Sequence, residues 1–138
     1  MTPGSARRVC LTATAVLVAA FAAGCGRPQS PEHVVRDWSK AFNAGDSDAA
    51  ADLFAANAKV IAGDSVRVLQ DHDQAVAFNA ALPFCGRIVK LTTVDTDVTV
   101  RFALAERSTQ QCGSGGEHAS IFFRVRDGKI VLFNQIGA

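Results

Sequence analysis

The spacing of apolar residues changes from a helical to an alternating period near the middle of the chain. After Ser30, apolar side chains recur every three or four positions and form one helical stripe: Val34, Val35, Trp38, Ala41 and Phe42. A hydroxyl side chain, a proline and an acid stand just before this stripe at 30–32, which is the usual composition of a helix start. Gly45 is expected to end this first helix.

Two further helices and a short strand are predicted before the period changes. A helix over 47–57 is indicated by apolar residues on one side, namely Ala50, Leu53, Phe54 and Ala58. A short strand over 59–62 follows, and a loop then leads to a third helix over 71–82.

Beyond Gly86 the pattern is that of strands. Apolar and polar residues alternate, most clearly from Val98 to Leu104, and they predict strands over 88–94, 98–105, 120–126 and 129–136. Asp127-Gly128 is a strong signal for a two-residue hairpin between the last two strands. Three helices followed by an antiparallel meander predict an α+β domain.

Length and charge limit the function classes. A chain of 138 residues is long enough for one domain. Its 14 Lys and Arg residues nearly balance 13 Asp and Glu residues. Since a nucleic-acid-binding protein needs a clustered basic face, no nucleic-acid partner is expected.

The N-terminus has the composition of an export signal over 1–24. Two arginines, Arg7 and Arg8, precede an apolar run over 9–23, which is shorter than the roughly 20 residues of a membrane-spanning helix. The run ends in Ala-Ala-Gly-Cys, which resembles a bacterial lipobox, although lipoboxes prefer a larger aliphatic residue than Ala22. Lipid on Cys25 would then anchor the protein to the outer face of the cell membrane through a short tether over 25–30, ahead of the domain over 31–138. Ordinary secretion is the alternative.

The remaining cysteines fit an exported protein. Cys10 lies in the signal and Cys25 would carry the lipid, which leaves Cys85 and Cys112 to form one disulfide. The alternative is a reactive thiol pair, but the chain has no Cys-x-x-Cys motif to tune a thiolate.

Several segments in this order resemble the NTF2-like/SnoaL-like superfamily. They are VVRDWSKAFNAGD at 34–46, ADLFA at 51–55 and FRVRDGKI at 123–130. The resemblance covers about 31–136, and the cysteine pair and export signal are similar to those of exported members of actinobacterial type. It implies a curved antiparallel sheet that wraps around the first helix and forms a cone with an apolar cavity.

The resemblance also implies positions at which catalytic groups would be found. Trp38 matches the tyrosine of ketosteroid isomerases, and Ala62 matches their aspartate base. Matching the Asp-Arg-Asp set of limonene-epoxide hydrolases gives Gln135, Arg101 and Ala103. The acids of both enzyme types are therefore missing, and the two weak candidates for a relocated acid or base are Asp64 and His72.

Other chemistry is not indicated. The three histidines lack metal-ligand spacing, so neither a metal nor a cofactor is expected. The aromatic candidates for a pocket are more typical of a core, and the two polar candidates on strands could face the cone or the solvent. Together the candidate pocket residues are Trp38, Phe42, Phe54, Phe78, Arg101 and Gln135.

Three functional hypotheses follow. The first is a lipid-anchored, non-catalytic domain that binds a small apolar molecule or a partner protein. The second is an isomerase, cyclase or hydrolase of SnoaL type that uses Asp64 or His72. The third is a structural accessory with a fully packed cone. The resemblance also suggests a homodimer, because dimers formed by sheet packing are common in the superfamily.

Overall fold

A mixed sheet and three helices make up the part of the chain that the structure describes. In this computed structural model those are residues 27–108, 111–112 and 116–137, with backbone alone for 108, 111 and 112. The helices are α1 (Pro31–Asn43), α2 (Ser47–Ala51) and α3 (His72–Ala81). The strands are β1 (Phe54–Ala62), β2 (Ser65–Leu69), β3 (Phe84–Val94), β4 (Asp97–Ser108), β5 (Gln111–Cys112), β6 (Glu117–Arg126) and β7 (Lys129–Gly137).

The order of the strands corrects the expectation of a purely antiparallel sheet. The strands run β2-β1-β7-β6-β4-β3, with β5 paired to β4 beside this path. All pairs are antiparallel except β1 with β7, which are parallel. A pairing between strands so far apart in sequence leaves no local pattern, because it depends on how the whole chain folds back.

Helix α1 is confirmed, and its ends follow from its sequence. The Ser30 hydroxyl accepts a hydrogen bond from the His33 backbone N–H, and Pro31 occupies the first turn. Gly45, just beyond the helix, adopts a φ of 73°, a left-handed conformation that glycine tolerates well. The predicted third helix is confirmed as α3, which Asp71 caps through the Gln74 backbone N–H.

The predicted helix over 47–57 is wrong beyond Ala51. The chain leaves α2 there, and the Leu53 carbonyl accepts a hydrogen bond of 2.8 Å from the Ile130 N–H of β7. Strand β1 begins at Phe54, which pairs with β7, and from Lys59 to Ala62 it pairs with both β7 and β2, so the predicted strand over 59–62 is only the second half of β1. Intrinsic helix propensities differ between ordinary residues by only a few tenths of a kcal/mol per residue. Hydrogen bonds to the neighbouring strands therefore outweigh the helix preference of this alanine-rich segment.

Other strands are longer than predicted, and two, β2 and β5, were missed. Strand β2 lies at the sheet edge, where Val66 and Val68 remain exposed, and its alternation is too short to separate from a loop. The predicted β6–β7 hairpin is confirmed: Asp127 and Gly128 both have positive φ values, 51° and 72°, as a type I′ turn requires.

The core lies between α1 and one face of the sheet. Trp38 is its centre, stacked on Phe42 at 4.9 Å and in contact with Phe102, Phe123 and Phe133. Every buried residue of this core falls between Val34 and Phe133. A chain that starts after Cys25 therefore keeps the whole core.

Part of the sequence interpretation falls outside the described residues. The predicted signal (1–24), the predicted lipid site Cys25 and the side chain of Cys112 are not covered. Among the residues that are covered, no helix has the length and hydropathy needed to cross a membrane.

Candidate functional site

An apolar recess opens between the C-terminal half of α1 and strands β3, β4 and β6. It measures about 170 Å³ with its open mouth included, and it has no interior room for a whole water molecule. The lining residues are Trp38, Phe42, Phe84, Gly86, Phe102, Leu104 and Ile121. Phe84 and Leu104 are half-buried, whereas the others are buried, so these two side chains form the rim.

Gly86 makes the close approach of α1 to β3 workable. A Cβ at this position would lie 3.1 Å from the Phe102 Cβ and 3.3 Å from Leu104 Cδ2. The Gly86 backbone also pairs with the Asn43 side chain, which donates to the carbonyl at 2.8 Å and accepts from the N–H at 2.9 Å. These contacts fix the end of α1 against the strand and define one wall of the recess.

The only indole in the chain has its polar atom already engaged. Trp38 Nε1 donates to Asn79 Oδ1 at 2.8 Å, and Asn79 Nδ2 donates to the Ala75 carbonyl at the same distance. Both side chains are about 1% exposed. The Trp38 N–H, which the family resemblance matches to the isomerase hydroxyl, therefore donates to α3, and the indole ring lines the recess.

Arg107 lies against the outer side of the recess wall. Its guanidinium carbon sits 4.5 Å from the centre of the Phe42 ring, a cation–π distance. Nη2 donates to the Phe42 carbonyl at 2.7 Å and to the Phe84 carbonyl at 3.5 Å, so it caps the last turn of α1. Nε is buried and has no hydrogen-bond partner.

The structure brings together only two of the six predicted pocket residues. Trp38 and Phe42 line the recess. Phe54 and Phe78 are buried elsewhere in the core, where their rings meet edge to face at 5.9 Å. They pack between α3 and the start of β1 and do not reach the recess.

The two polar candidates on strands are both exposed. Arg101 lies on the face of β4 opposite to the core, because its neighbours Val100 and Phe102 are the buried ones. Gln135 shares a face with Phe133 but lies near the end of β7, opposite Ala62 of β1. Neither side chain lines the recess.

The two weak catalytic candidates also lie away from it. Asp64 is exposed in the turn between β1 and β2. His72 begins α3 and shares a hydrogen bond of 2.9 Å with Asp52 at the surface. The recess is lined by aromatic and aliphatic side chains and one glycine. This lining offers neither an acid nor a base to a bound molecule.

Sequence analysis missed five of the seven lining residues and did not single out Arg107. Two of them, Phe84 and Gly86, precede the predicted strand over 88–94. Ile121 lies within the predicted strand over 120–126 but was not singled out as a pocket residue. Arg107 follows the predicted end of β4, and nothing local distinguishes it from other exposed arginines. The alternating apolar residues Phe102 and Leu104 were the one signal that pointed to this wall.

Charged groups outside the recess form surface pairs. Arg124 binds Asp97 across the β4–β6 pair through two hydrogen bonds, of 2.7 and 2.9 Å. These hydrogen bonds, helped by the positive charge of Arg124, hold the pKa of the Asp97 carboxyl below its ordinary value of 3.8. Within the described ranges, no group of His, Cys, Asp and Glu is arranged to hold a metal ion.

The backbone places the two predicted disulfide partners near one another. Cys85 is buried in β3 opposite Ala105 of β4, and Cys112 of β5 lies opposite Arg107 of the same strand. Strand β5 also approaches β3. Since the Cys112 side chain lies outside the described residues, the bond itself stays a prediction.

Solved structures of the same fold come from several bacteria. An NTF2-like protein of unknown function from Cytophaga hutchinsonii matches with a TM-score of 0.64 at 14% identity, covering 79% of this chain and 90% of that one. A candidate polyketide cyclase from Sinorhizobium meliloti matches with a TM-score of 0.59 at 21% identity, covering 75% and 94%.

A third structure shows the same fold with a small ligand. It is a protein with a ketosteroid isomerase-like fold from Catenulispora acidiphila, in complex with trimethylamine, with a TM-score of 0.63 at 16% identity over 80% of this chain and 88% of that one. At these identities the likeness shows the NTF2-like α+β fold with its curved mixed sheet.

Sequence comparison gives the family directly. A search of curated proteins finds no match. The family model of the SnoaL-like domain matches residues 35–133, from the first buried turn of α1 to the core phenylalanine of β7. That span includes every residue that lines the recess. The chain therefore belongs to the SnoaL-like domain family.

Proposed function

We propose that this protein is an exported lipoprotein whose SnoaL-like domain binds the apolar part of a small molecule at the recess and does not catalyse a reaction. The observation that carries the proposal is the lining: six apolar side chains and Gly86 surround the space. Such a surface favours an apolar group, because burying a polar or charged group there without partners is costly.

The surroundings of the recess support binding over catalysis. Ala62 and Ala103 stand at positions where related enzymes carry acids, and the Trp38 N–H is held by Asn79. An enolate or epoxide mechanism needs a carboxylate or another proton donor at the reacting atoms. The lining provides neither.

A ligand would enter between Phe84 and Leu104. They are the half-buried members of the lining, and their side chains have solvent on one side into which they can rotate. Because the recess is too tight for a water molecule in this structure, binding requires that these two side chains move apart.

The predicted anchor and the recess would lie at opposite ends of α1. The tether enters the helix at Pro31, while Phe42 lines the recess, and 13 helical residues span about 20 Å. The Gln29 backbone N lies close to Gly128 in the β6–β7 turn. Lipid on Cys25 would therefore hold this turn towards the membrane and leave the recess open to the extracytoplasmic solution.

The proposed Cys85–Cys112 disulfide would fix the wall of the recess. Cys85 lies between Phe84 and Gly86, which both line the space. A bond from there to β5 would tie the start of β3 to the end of β4, where Arg107 lies. By the chain-entropy relation, closing a loop of this length contributes about 3–4 kcal/mol to stability.

An enzyme remains the alternative, and one observation favours it. His72 is oriented by its hydrogen bond to Asp52, as the base of a proton-transfer pair would be. Relatives of the same fold include a candidate polyketide cyclase. The pair is exposed and lies away from the recess, so such an enzyme would need a second binding surface near α3.

Native mass spectrometry of the exported domain tests the proposal. The soluble domain starting at Gly26 would be purified after export and weighed under native and denaturing conditions. We expect a small bound mass that is lost on unfolding, and a protein mass lower by two hydrogen atoms than that of the reduced chain. A bare protein would favour the fully packed structural accessory, and free thiols would contradict the disulfide.

A further inference from the structure

We infer that the molecule bound at the recess carries an anionic head group beside its apolar part, and that Arg107 binds this anion. The inference rests on the proposed binding function and adds the chemical class of the ligand: an amphipathic anion, such as an apolar carboxylate or sulfonate. It comes from the position of Arg107, its hydrogen bonds and the absence of an acidic partner.

Arg107 is held at the edge of the recess by its own contacts. The guanidinium covers the face of Phe42 that Trp38 does not, so indole, benzyl ring and guanidinium form one stack. Nη2 is fixed by the Phe42 and Phe84 carbonyls, both of which belong to lining residues. The cation is therefore placed in advance within reach of a molecule that occupies the space beside Phe42 and Phe84.

No Asp or Glu side chain of the described residues forms an ion pair with this cation. All 13 Asp and Glu side chains of the chain belong to described residues, and none forms an ion pair with Arg107. By contrast, Arg36 pairs with Glu32 at 2.8 Å and Arg124 pairs with Asp97 at 2.7 Å. Arg107, against the outer side of the recess wall, thus has backbone carbonyls as partners but no Asp or Glu counter-charge among the described residues.

The apolar surroundings of Arg107 strengthen its interaction with an anion. The Nε atom is buried without a partner, which is unfavourable until an acceptor or a counter-ion compensates. Next to an apolar wall the local dielectric is lower than in water, and a charge-assisted hydrogen bond is stronger there. An anion that binds the outer guanidinium nitrogens, with its apolar body against Phe84 and Leu104, would bring a negative charge close to this buried atom.

Two dyes that differ by one anionic group provide the test. 8-Anilinonaphthalene-1-sulfonate carries a sulfonate, whereas N-phenyl-1-naphthylamine has the same rings without it. Trp38 is the only tryptophan and lines the recess, so energy transfer from it detects a bound dye, and the Arg107 variants test whether the sulfonate dye binds beside the recess. Dissociation constants would be measured for both dyes on the oxidised domain starting at Gly26.

The variants separate a local charge from the overall charge. Arg107→Gln removes the guanidinium, and Arg107→Lys keeps a positive charge but loses Nη2, the atom that donates to both carbonyls. Arg101→Gln removes one charge from an exposed position of the same strand that does not line the recess, and serves as the matched control. The thermal midpoint of each variant is recorded, because Arg107 also caps α1.

We expect Arg107→Gln to raise the Kd of the sulfonate dye by about 10-fold, as loss of one charge-assisted hydrogen bond would, and to leave the Kd of the neutral dye within about twofold. Arg107→Lys should recover part of the loss, and Arg101→Gln should leave both constants as in the wild type. Added salt should raise the Kd of only the sulfonate dye in the wild-type protein. This measurement is available even if Arg107→Gln fails to fold.

The outcomes distinguish the two proposals. If both dyes bind the wild-type protein alike, and salt and the Arg107 variants affect them equally, the anionic ligand is ruled out while the apolar site stands. If Arg101→Gln weakens the sulfonate dye as much as Arg107→Gln does, the effect is one of overall charge and Arg107 is not the anion site. If neither dye accepts energy from Trp38, the recess is not a binding site and both proposals fail.

Discussion

Asn79 fixes the ring of Trp38 at the level of single residues. The indole N–H has one acceptor, and that acceptor is oriented by a second hydrogen bond to the Ala75 carbonyl. Because both side chains are buried, removal of either partner leaves a polar atom without compensation from water. The pair links α1 to α3 and holds the back wall of the recess.

Asn79→Ala should lower the free energy of unfolding by about 1–3 kcal/mol, because the Trp38 N–H loses its only acceptor. Urea denaturation followed by Trp38 fluorescence measures the change. Asn134→Ala, at a half-buried asparagine of β7, is the control and should cost less than about 0.5 kcal/mol. Equal losses in the two variants would show that the Trp38–Asn79 hydrogen bond contributes nothing specific.

Sequence reasoning found one member of this pair and missed the other. Trp38 stood out as the largest side chain in the apolar stripe of α1, and its burial followed from that position. Asn79 lies 41 residues further on, and as a polar residue in a predicted helix it gave no sign of burial. Only the packing of α3 against α1 brings the two together.

At the level of elements, Gly86 sets the distance between α1 and β3. The lack of a side chain lets the strand pass against Phe102 and Leu104, and the backbone then meets Asn43. The same gap forms the floor of the recess. Substitution at this one position should therefore affect both packing and ligand binding.

Gly86→Ala should destabilise the protein by about 1–3 kcal/mol, because the added methyl group overpacks against Phe102 at 3.1 Å. Gly137→Ala is the matched control, since a Cβ there would meet nothing within 4 Å. Thermal and urea unfolding of both variants give the comparison. A Gly86→Ala protein as stable as the Gly137→Ala protein would contradict the close approach.

The Asp97–Arg124 ion pair joins strands β4 and β6 and makes the stability of the fold depend on pH. The pKa of Asp97 is lower in the folded protein than its ordinary value of 3.8, so the unfolded chain binds the proton more tightly. Its contribution to stability is therefore fully present above pH 3.8 and is lost as the pH falls through the lowered folded value. Stability of the wild type relative to Asp97→Asn should decline over that acidic window. A constant difference across the window would show that the pair has no effect on folding.

Some elements could be predicted from local pattern and others could not. The first helix, the third helix and the last hairpin each have a local cause: a cap, an apolar stripe or an Asp-Gly turn. The segment over 52–58 has several alanines and is predicted as helix, but Phe54 pairs with Ile130 of β7 and Ala58 pairs with Leu69 of β2. Its state is decided by partners distant in sequence, which a local pattern does not contain.

At the level of the whole molecule, the proposed anchor and the recess define an orientation. Residues that would face the membrane lie near the start of α1 and the β6–β7 turn, and the recess lies at the other end of the helix. The family resemblance could predict a cavity beside α1, and the structure contains a recess there. Its walls could not be predicted, because they depend on how β3, β4 and β6 align.

Cys25→Ser should move the protein from the membrane to the soluble exported fraction, because lipid on Cys25 is the only proposed anchor. Fractionation of cells that produce the full chain, with immunodetection, measures this shift. Cys10→Ser is the control, since Cys10 lies within the predicted signal, and it should leave the protein with the membrane. Membrane retention of the Cys25→Ser protein would contradict the lipid anchor.

The central claim is that the recess beside Trp38 is where this protein binds its ligand. Titration of the ¹⁵N-labelled domain with N-phenyl-1-naphthylamine, followed by amide and indole NMR signals, tests it most directly. We expect the largest shifts at the Trp38 indole N–H, at Phe84 and Gly86 of β3, and at Leu104 of β4, with little change around His72. Shifts confined to α3 and the His72–Asp52 pair, or no shifts at all, would contradict the account.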